Sequence, residues 1–309
     1  MPRKIRQHRR HQKRSHFHSR HFGALFPPIP NAPIDKPGKL FNGVFMTCHI
    51  AALCRFPVKA LSPQPLEHAV LETGAGVQGD HGYALVHGAA SRAAGGGAAV
   101  SGRLPRTSFI TLSDCPTLAT LRTRFIDQLH IMTVERGGRQ VARGDLTQPV
   151  GRAMLEDFFS AFLKDTARGG PRFVIAKPGE TFANHQIPGV VLINRATVAD
   201  IERVAGKPVD PLRFRANMLI DGPPPWQELD WIGKTIRITG AGSADQPVIL
   251  RVRKAMPVHP AAEVNPDTGD VDLNLDKAMK QGLGHDHFGV LCEVVEGGTV
   301  TNGDLMMVD

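Results

Sequence analysis

"LINRATVADIERVAGKPVDPLRFRANMLIDG", Leu192 to Gly222, carries three patterns in one stretch. The apolar run Val190 to Ile193 reads as a buried strand. It leads into Thr197-x-x-Asp200, whose spacing is that of a capping box and predicts the start of a short helix. "LRFRANMLIDG" then reads as a second strand, with Arg213 and Arg215 on one face by the period of two. A strand that feeds a helix N-terminus offers free backbone N–H groups to an anion. Arginines seldom face a core unless something pairs with them.

Outward from this stretch the chain is punctuated by turns. "CHIAALCRFPVKAL" (48–61) reads as a strand ending at Pro57-Val58-Lys59. "LEHAVLETGAGVQGD" gives a short strand and a Gly-rich turn, and "GYALVHG" a further strand. The low-complexity segment "AASRAAGGGAAVSG" (89–102) reads as a mobile loop. "RTSFITLSD" and "HIMTVERGGRQVARGDL" are expected to be strands, the latter folded at Gly137-Gly138 into a tight hairpin. The clearest helix is "QPVGRAMLEDFFSAFLKDT", where Leu155, Phe158, Phe159, Phe162 and Leu163 form one apolar stripe. Gly169-Gly170-Pro171 ends that segment and places an inner boundary nearby. Beyond the central stretch, "DWIGKTIRIT", "PVILRVRKAMPV" and "GVLCEVVEGGTVTNGDLMMVD" add strands, the last turning at Gly297-Gly298. Short, regularly punctuated strands with few helices predict a mainly β fold closed as a barrel.

The formal charge of +8 is misleading until it is located. Residues 1–45 hold ten Lys/Arg against one acid, Asp35, whereas the other 264 residues hold 27 against 28. The basicity belongs to the tail, so the folded body carries no electrostatic signature of a nucleic-acid-binding domain. The tail "MPRKIRQHRRHQKRSHFHSRH" is too polar to fold alone and reads as a disordered basic arm for nucleic acid or anionic lipid, or as a misassigned start ahead of Met46. It has no secretory apolar core, and no apolar run reaches membrane-spanning length. Cys48, Cys54, Cys115 and Cys292 form no CxxC pair or zinc spacing. Reduced thiols and a cytoplasmic location are therefore expected, with no membrane partner.

Lys59, the Arg195 loop and Arg213/Arg215 each place positive charge beside a predicted turn. Any one of them suits an ordinary ion pair, for instance with Asp210 or Asp221. Their convergence near strand ends would suit a phosphate-bearing ligand. "GHDHFG" has the His-x-His look of a metal site but lacks further ligands, and a solvated loop is the expectation. The glycine-rich pieces match no phosphate-binding fingerprint, and no Gly-x-Ser-x-Gly element or Ser/His/Asp arrangement is present.

Taken in order, "FPVKALSPQPLEHAVLETGAGVQGDHGYALVHG", "LINRATVADIERVAGKPVDPLRFRANMLIDG", "VNPDTGDVDLN" and "GHDHFGVLCEVVEGGTVTNGD" resemble the MOSC family, the molybdenum cofactor sulfurase C-terminal domain. The resemblance spans 46–309 and implies an N-terminal MOSC-associated β-barrel subdomain at 46–169 and a MOSC domain at 170–309. It implies a molybdopterin-type molybdenum cofactor between them, held by Lys59, His81, Asn194, Arg195, Thr197, Arg215 and Asn217. It further implies an oxidoreductase reducing N-oxygenated small molecules, or a sulfurtransferase-like role. The substrate and redox partner do not follow from it.

Two positions depart from the family pattern. His259 stands before the Asn265-Pro266-Asp267-Thr268-Gly269 turn, where the family has the Cys that binds the metal. His81 stands where an Arg is expected to hold the cofactor's anionic end. Imidazole is neutral and borderline where thiolate is soft and anionic, and it cannot carry a persulfide. Cys292 is the nearest thiol in motif terms, and alternation allows either Leu291 or Cys292 to face the site. The expected metal ligand is therefore His259 or solvent. The alternative is a non-catalytic module that binds the cofactor or another phosphorylated ligand.

Overall fold

A computed structural model describes residues 48–93, 99–101, 104–185, 187–240 and 246–309. The basic tail and the Gly95 to Gly97 run lie outside the described residues. In chain order the strands are β1 (Cys48–Arg55), β2 (Gln64–Leu66), β3 (His68–Glu72), β4 (Gly76–Val77), β5 (Tyr83–His87), β6 (Ala99–Val100), β7 (Leu121–Ile126), β8 (Ile131–Arg136) and β9 (Arg139–Asp145). They continue with β10 (Pro171–Ala176), β11 (Val190–Asn194), β12 (Met218–Asp221), β13 (Thr235–Thr239), β14 (Val248–Pro257), β15 (His287–Glu296), β16 (Gly298–Thr301) and β17 (Leu305–Val308). The helices are α1 (Gly88–Ala93), α2 (Pro149–Leu163), α3 (Arg195–Ala205) and α4 (Leu275–Leu283).

Seven strands close a barrel in the order β1-β12-β11-β15-β14-β13-β17 and back to β1, with β2 as a side extension of β1. Closure leaves the ring no free edge. The long β14/β15 ladder pairs Val252 with Cys292 and Ala255 with Val290. All ladders of the ring are antiparallel except β11/β12, which are parallel and joined through α3. Parallel neighbours need such a crossover, and this is why a helix interrupts the strands there. Inward side chains, among them Ile50, Leu192, Ile220, Ile236, Leu250 and Cys292, fill the ring. β1 reaches the barrel from the stretch assigned to the first subdomain, and β10 from the second joins β5 and β6 in a three-stranded sheet.

The N-terminal part adds that sheet and the β7-β8-β9 meander, both packed on α2. The expected stripe of α2 divides: Leu155, Phe159 and Leu163 are buried, whereas Phe158 and Phe162 are half-buried. Glu156 is buried on the same helix because Arg172 (2.7 Å) and the Phe173 N–H (2.9 Å) satisfy it.

Four local expectations are corrected. The start of the stretch 89–102, expected to be loop, is helical, within Gly88–Ala93. "RTSFITLSD" is a 3₁₀ turn at Arg106–Ser108 followed by irregular chain, with only the Phe109–Val86 bridge paired. α3 begins at Arg195 and not at Thr197, because Asn194 is the N-cap and its side chain accepts from Ala196 N. "LRFRA" is also not strand: Pro211–Phe214 is a 3₁₀ turn capped by the Asp210 side chain, and β12 starts only at Met218. Pro211 and the Asp210 cap favour the turn over the ladder. α4 carries its own signal, with Asn274 at the N-cap and Leu275, Met279 and Leu283 on one face.

Candidate functional site

Five of the sequence-predicted residues meet at one cavity of about 230 Å³ between the barrel end and the N-terminal part: Lys59, His81, Arg215, Asn217 and His259. They arrive on four segments, Arg215 and Asn217 sharing one. Lys59 lies in the turn that leaves β1, pinned by its N–H to Tyr83 O (2.9 Å). His81 lies between β4 and β5 at φ +50°, and Arg215 ends the 3₁₀ turn at φ +52°. Side chains other than glycine adopt this left-handed region at a cost, and such residues cluster at ligand-binding positions. Asn217 precedes β12, and His259 follows β14.

The cations are held but not neutralised. Arg215 donates Nη1 to Leu61 O (2.9 Å), and its guanidinium lies over the Phe56 ring at 4.0 Å. Its Nη2 is buried with no hydrogen-bond partner among the described residues. Burial pushes this guanidinium down to about 10. Lys59 donates to Phe182 O (2.7 Å) and Asn184 Oδ1 (2.5 Å), both uncharged acceptors. Burial first, then the Arg215 and Arg106 charges, push its ammonium down to about 7. An anion entering the cavity would reverse those pressures and return a full charge to Lys59.

Asp80, the acid beside them, is already committed. Its Oδ1 accepts from Phe56 N (2.7 Å) and its Oδ2 meets His81 Nδ1 (2.7 Å). Burial would raise this carboxyl, but the His81 ring, the Phe56 N–H and Asn217 outweigh burial and hold it below the ordinary carboxylate value. With the carboxylate ionised, His81 donates Nδ1–H to it, and Nε2 has no protein partner among the described residues. Burial lowers the His81 pKa against the pull of Asp80, with Arg215 and Lys59 lowering it further. Near neutral pH His81 is therefore a neutral ring at a position that would suit a fixed cation. Asn217 accepts from Val191 N (3.0 Å) and donates to Cys54 O (3.4 Å), which ties the cavity wall to the barrel.

His259 is the N-cap of the 3₁₀ turn Pro260–Glu263, and its Nδ1 accepts from Ala261 N at 3.2 Å. An accepting Nδ1 fixes the ring proton of the neutral form on Nε2. Ligating a metal through Nε2 would move that proton to Nδ1 and cost the cap. Burial, then Arg106 and Lys59, lower the His259 pKa, with Asp114 opposing. The ring contributes neither a ready lone pair nor a dependable positive charge.

No thiol compensates. Cys292 points into the barrel core, where burial pushes its pKa up to about 12, and Leu291 takes the outward face beside Phe288. Cys54 is buried against Phe56 and Leu212, and burial raises its pKa further still. No group of three or more His, Cys, Asp or Glu among the described residues could hold a metal ion.

The other three predicted residues lie elsewhere. Asn194 is fully buried at the start of α3, where Oδ1 caps Ala196 N and Nδ2 donates to Pro223 O (3.2 Å), Pro224 O (2.8 Å) and Glu228 Oε2 (3.3 Å). Thr197 Oγ1 accepts from Trp226 N (2.8 Å), and Arg195 pairs with Asp221 (3.2 Å). None of the three lines the cavity. Arg213 reaches the cavity wall but is paired with Asp272 at 2.9 Å and bonded to two carbonyls, so the period-two kinship with Arg215 does not extend to function. Sequence reasoning missed Arg106, Lys254, Asn184 and His185, which also line the cavity. Arg106 sits in a stretch read as strand, and nothing in its neighbours marks it. The His285–His287 pair stacks at 5.9 Å beside Trp226, away from the cavity.

Residues 183–307 match the family model of the MOSC domain. Among solved structures the chain is similar to the YuaD protein from Bacillus subtilis, at 12% identity and a TM-score of 0.40, covering 85% of this chain and 95% of that one. It is also similar to YiiM from Geobacillus stearothermophilus, at 16% identity and a TM-score of 0.27, covering 39% and 53%. No curated protein matches the chain in sequence. No helix among the described residues is long and apolar enough to cross a membrane.

Proposed function

Because residues 183–307 are a MOSC domain, we propose that this protein binds a phosphorylated pterin cofactor of the molybdenum type by its anionic end, without supplying a thiolate to the metal. MOSC domains are associated with molybdenum cofactor binding in general. The observation that carries the reading here is Arg215, a buried guanidinium on the cavity wall whose Nη2 has no acceptor among the described residues. A buried, unpaired donor is costly, and a phosphate oxygen is the partner its planar fork suits. Lys59 would supply the second charge, and Asn217 fixes the wall behind both.

The donor set fits the cofactor's phosphate but not a protein-ligated metal. When bound, such a cofactor supplies two-electron redox chemistry. Tuning that chemistry from the protein side needs a soft anionic ligand, and His259 offers a capped imidazole in its place. Sulfur transfer needs a thiol at the cavity, and Cys292 is turned into the core. Binding is therefore favoured over catalysis, both for reduction of N-oxygenated molecules and for sulfur transfer.

Elemental analysis and pterin fluorescence on the full chain, purified from a host that makes the cofactor, test this. Pterin near one equivalent per chain supports the reading. Its absence, both in the native chain and in the double variant His81→Arg/His259→Cys, would sink it.

A further inference from the structure

The basic cavity does not end at Arg215 and Lys59. Two further cavities, of about 510 and 470 Å³, open from it and share Lys59, Arg106 and Asn184 with it. Besides Arg213, which is paired with Asp272, five cations line this basin: Arg215 and Lys254 in the first cavity, Lys59 and Arg106 in all three, and Arg168 in the one of about 470 Å³. None of the five has a carboxylate within ion-pair distance among the described residues, although Arg55, Arg122, Arg172, Arg195, Arg203, Arg213 and Arg253 all have one. Arg106 and Arg168 are instead oriented by carbonyls, Asn184 O and Thr107 O, both at 3.1 Å. Asp80, Glu180 and Asp114 line the same cavities, so placement and not a charge total points to a second anionic group: Arg215 and Lys59 line the first cavity, and Arg106 and Arg168 line the one of about 470 Å³. Asp114 and the hydroxyls of Thr111 and Ser113 line the same cavity as Arg168, with Thr111 Oγ1 donating to Asp114 at 2.7 Å. A carboxylate there repels a third phosphate and accepts from sugar hydroxyls, as acids do in other nucleotide sites.

We infer that the basin takes a ligand with two linked phosphates and a sugar beyond them, that is, a nucleoside diphosphate or its ester. This rests on the anion-binding reading of the cavity and extends it from one phosphate to two. In this arrangement the first phosphate lies at Arg215 and Lys59 and the second at Arg106 and Arg168. The ribose hydroxyls reach Asp114.

Calorimetric titration of the full chain with inorganic phosphate, pyrophosphate and the four common nucleoside diphosphates, at one fixed salt concentration, tests the inference. Pyrophosphate should bind at least about tenfold more tightly than phosphate, and the best nucleoside diphosphate at least as tightly as pyrophosphate. Arg168→Gln, at an exposed position, should abolish the advantage of pyrophosphate and leave phosphate affinity within about twofold. Asp114→Asn should weaken the nucleoside diphosphate alone. Equal affinities for phosphate and pyrophosphate, or exclusion of every nucleoside diphosphate, would overturn the inference and leave the single-phosphate reading standing. No binding by any probe would overturn both.

Discussion

The start of α3 and the wall of the cavity look alike as sequence, since each sets Arg, Asn and small polar residues beside a turn. As structure they are opposites. At α3, Asn194 spends its side chain on one helix N–H and three acceptors, Thr197 holds Trp226 N, and Arg195 has Asp221. At the cavity, Arg215 keeps an unpaired Nη2 and Lys59 reaches only neutral acceptors. The same contrast recurs two residues apart, between Arg213 with its Asp272 and Arg215 without an acid. A polar group whose partners are internal holds the fold together, whereas one that lines the cavity with no carboxylate in reach is placed for a ligand. A bare buried atom alone does not decide, since Arg213, Glu228 and Asp272 each have one too.

Breaking the first kind should cost stability and spare binding. Arg213→Met strands Asp272 and should lower unfolding free energy by about 2–4 kcal/mol in urea titration, below the full range for buried pairs because Asp272 keeps some solvent. A loss under 1 kcal/mol would mean the pair is ornamental. Asn194→Ala removes a cap and the bonds to Pro224 O and Glu228, and about 1–2 kcal/mol should be lost with phosphate affinity unchanged. An affinity change in that variant would bring the α3 start back into the site.

The second kind should show in pH. Lys59 holds its proton below about 7 in the free protein. An anion favours the protonated form, so affinity for sulfate, which does not titrate here, should be flat below pH 7 and fall above it. The fall cannot exceed tenfold per pH unit for one proton. His81, His185 and His259 are all lowered below the ordinary histidine value and so contribute mainly at the acidic end. Lys59→Arg should flatten the profile above pH 7, and a profile unchanged by that substitution would remove Lys59 from the site. The smallest effect is expected at His259. His259→Ala loses only the Ala261 cap, about 0.5–1 kcal/mol, and should leave anion affinity within twofold.

Much of the barrel was legible because strand alternation and turn punctuation are local signals. β11, β13, β14 and β15 each read directly from their apolar residues. Arg213 and Arg215 misled because the period of two applies only inside a strand, and Pro211 with Asp210 turns that segment into a 3₁₀ helix. Asn194 and Thr197 misled for a different reason. A helix N-terminus binds anions only while its N–H groups are free, and sequence does not say that the Pro223–Glu228 loop folds back over this one. His259 lines the cavity, but the direction of its hydrogen bond, which decides whether a lone pair is free, is a three-dimensional fact. Arg106 and Arg168 had no signal, since their meeting depends on how irregular segments cross.

The most direct test is calorimetry of phosphate binding to the native chain and to Arg215→Met, with the unfolding midpoint of each measured alongside. Arg215→Met should weaken phosphate at least about tenfold, the worth of one charge-assisted hydrogen bond. Its stability should be unchanged or raised, because a buried and unpaired charge has gone. Undiminished phosphate affinity with lowered stability would contradict the account and make Arg215 one more structural arginine.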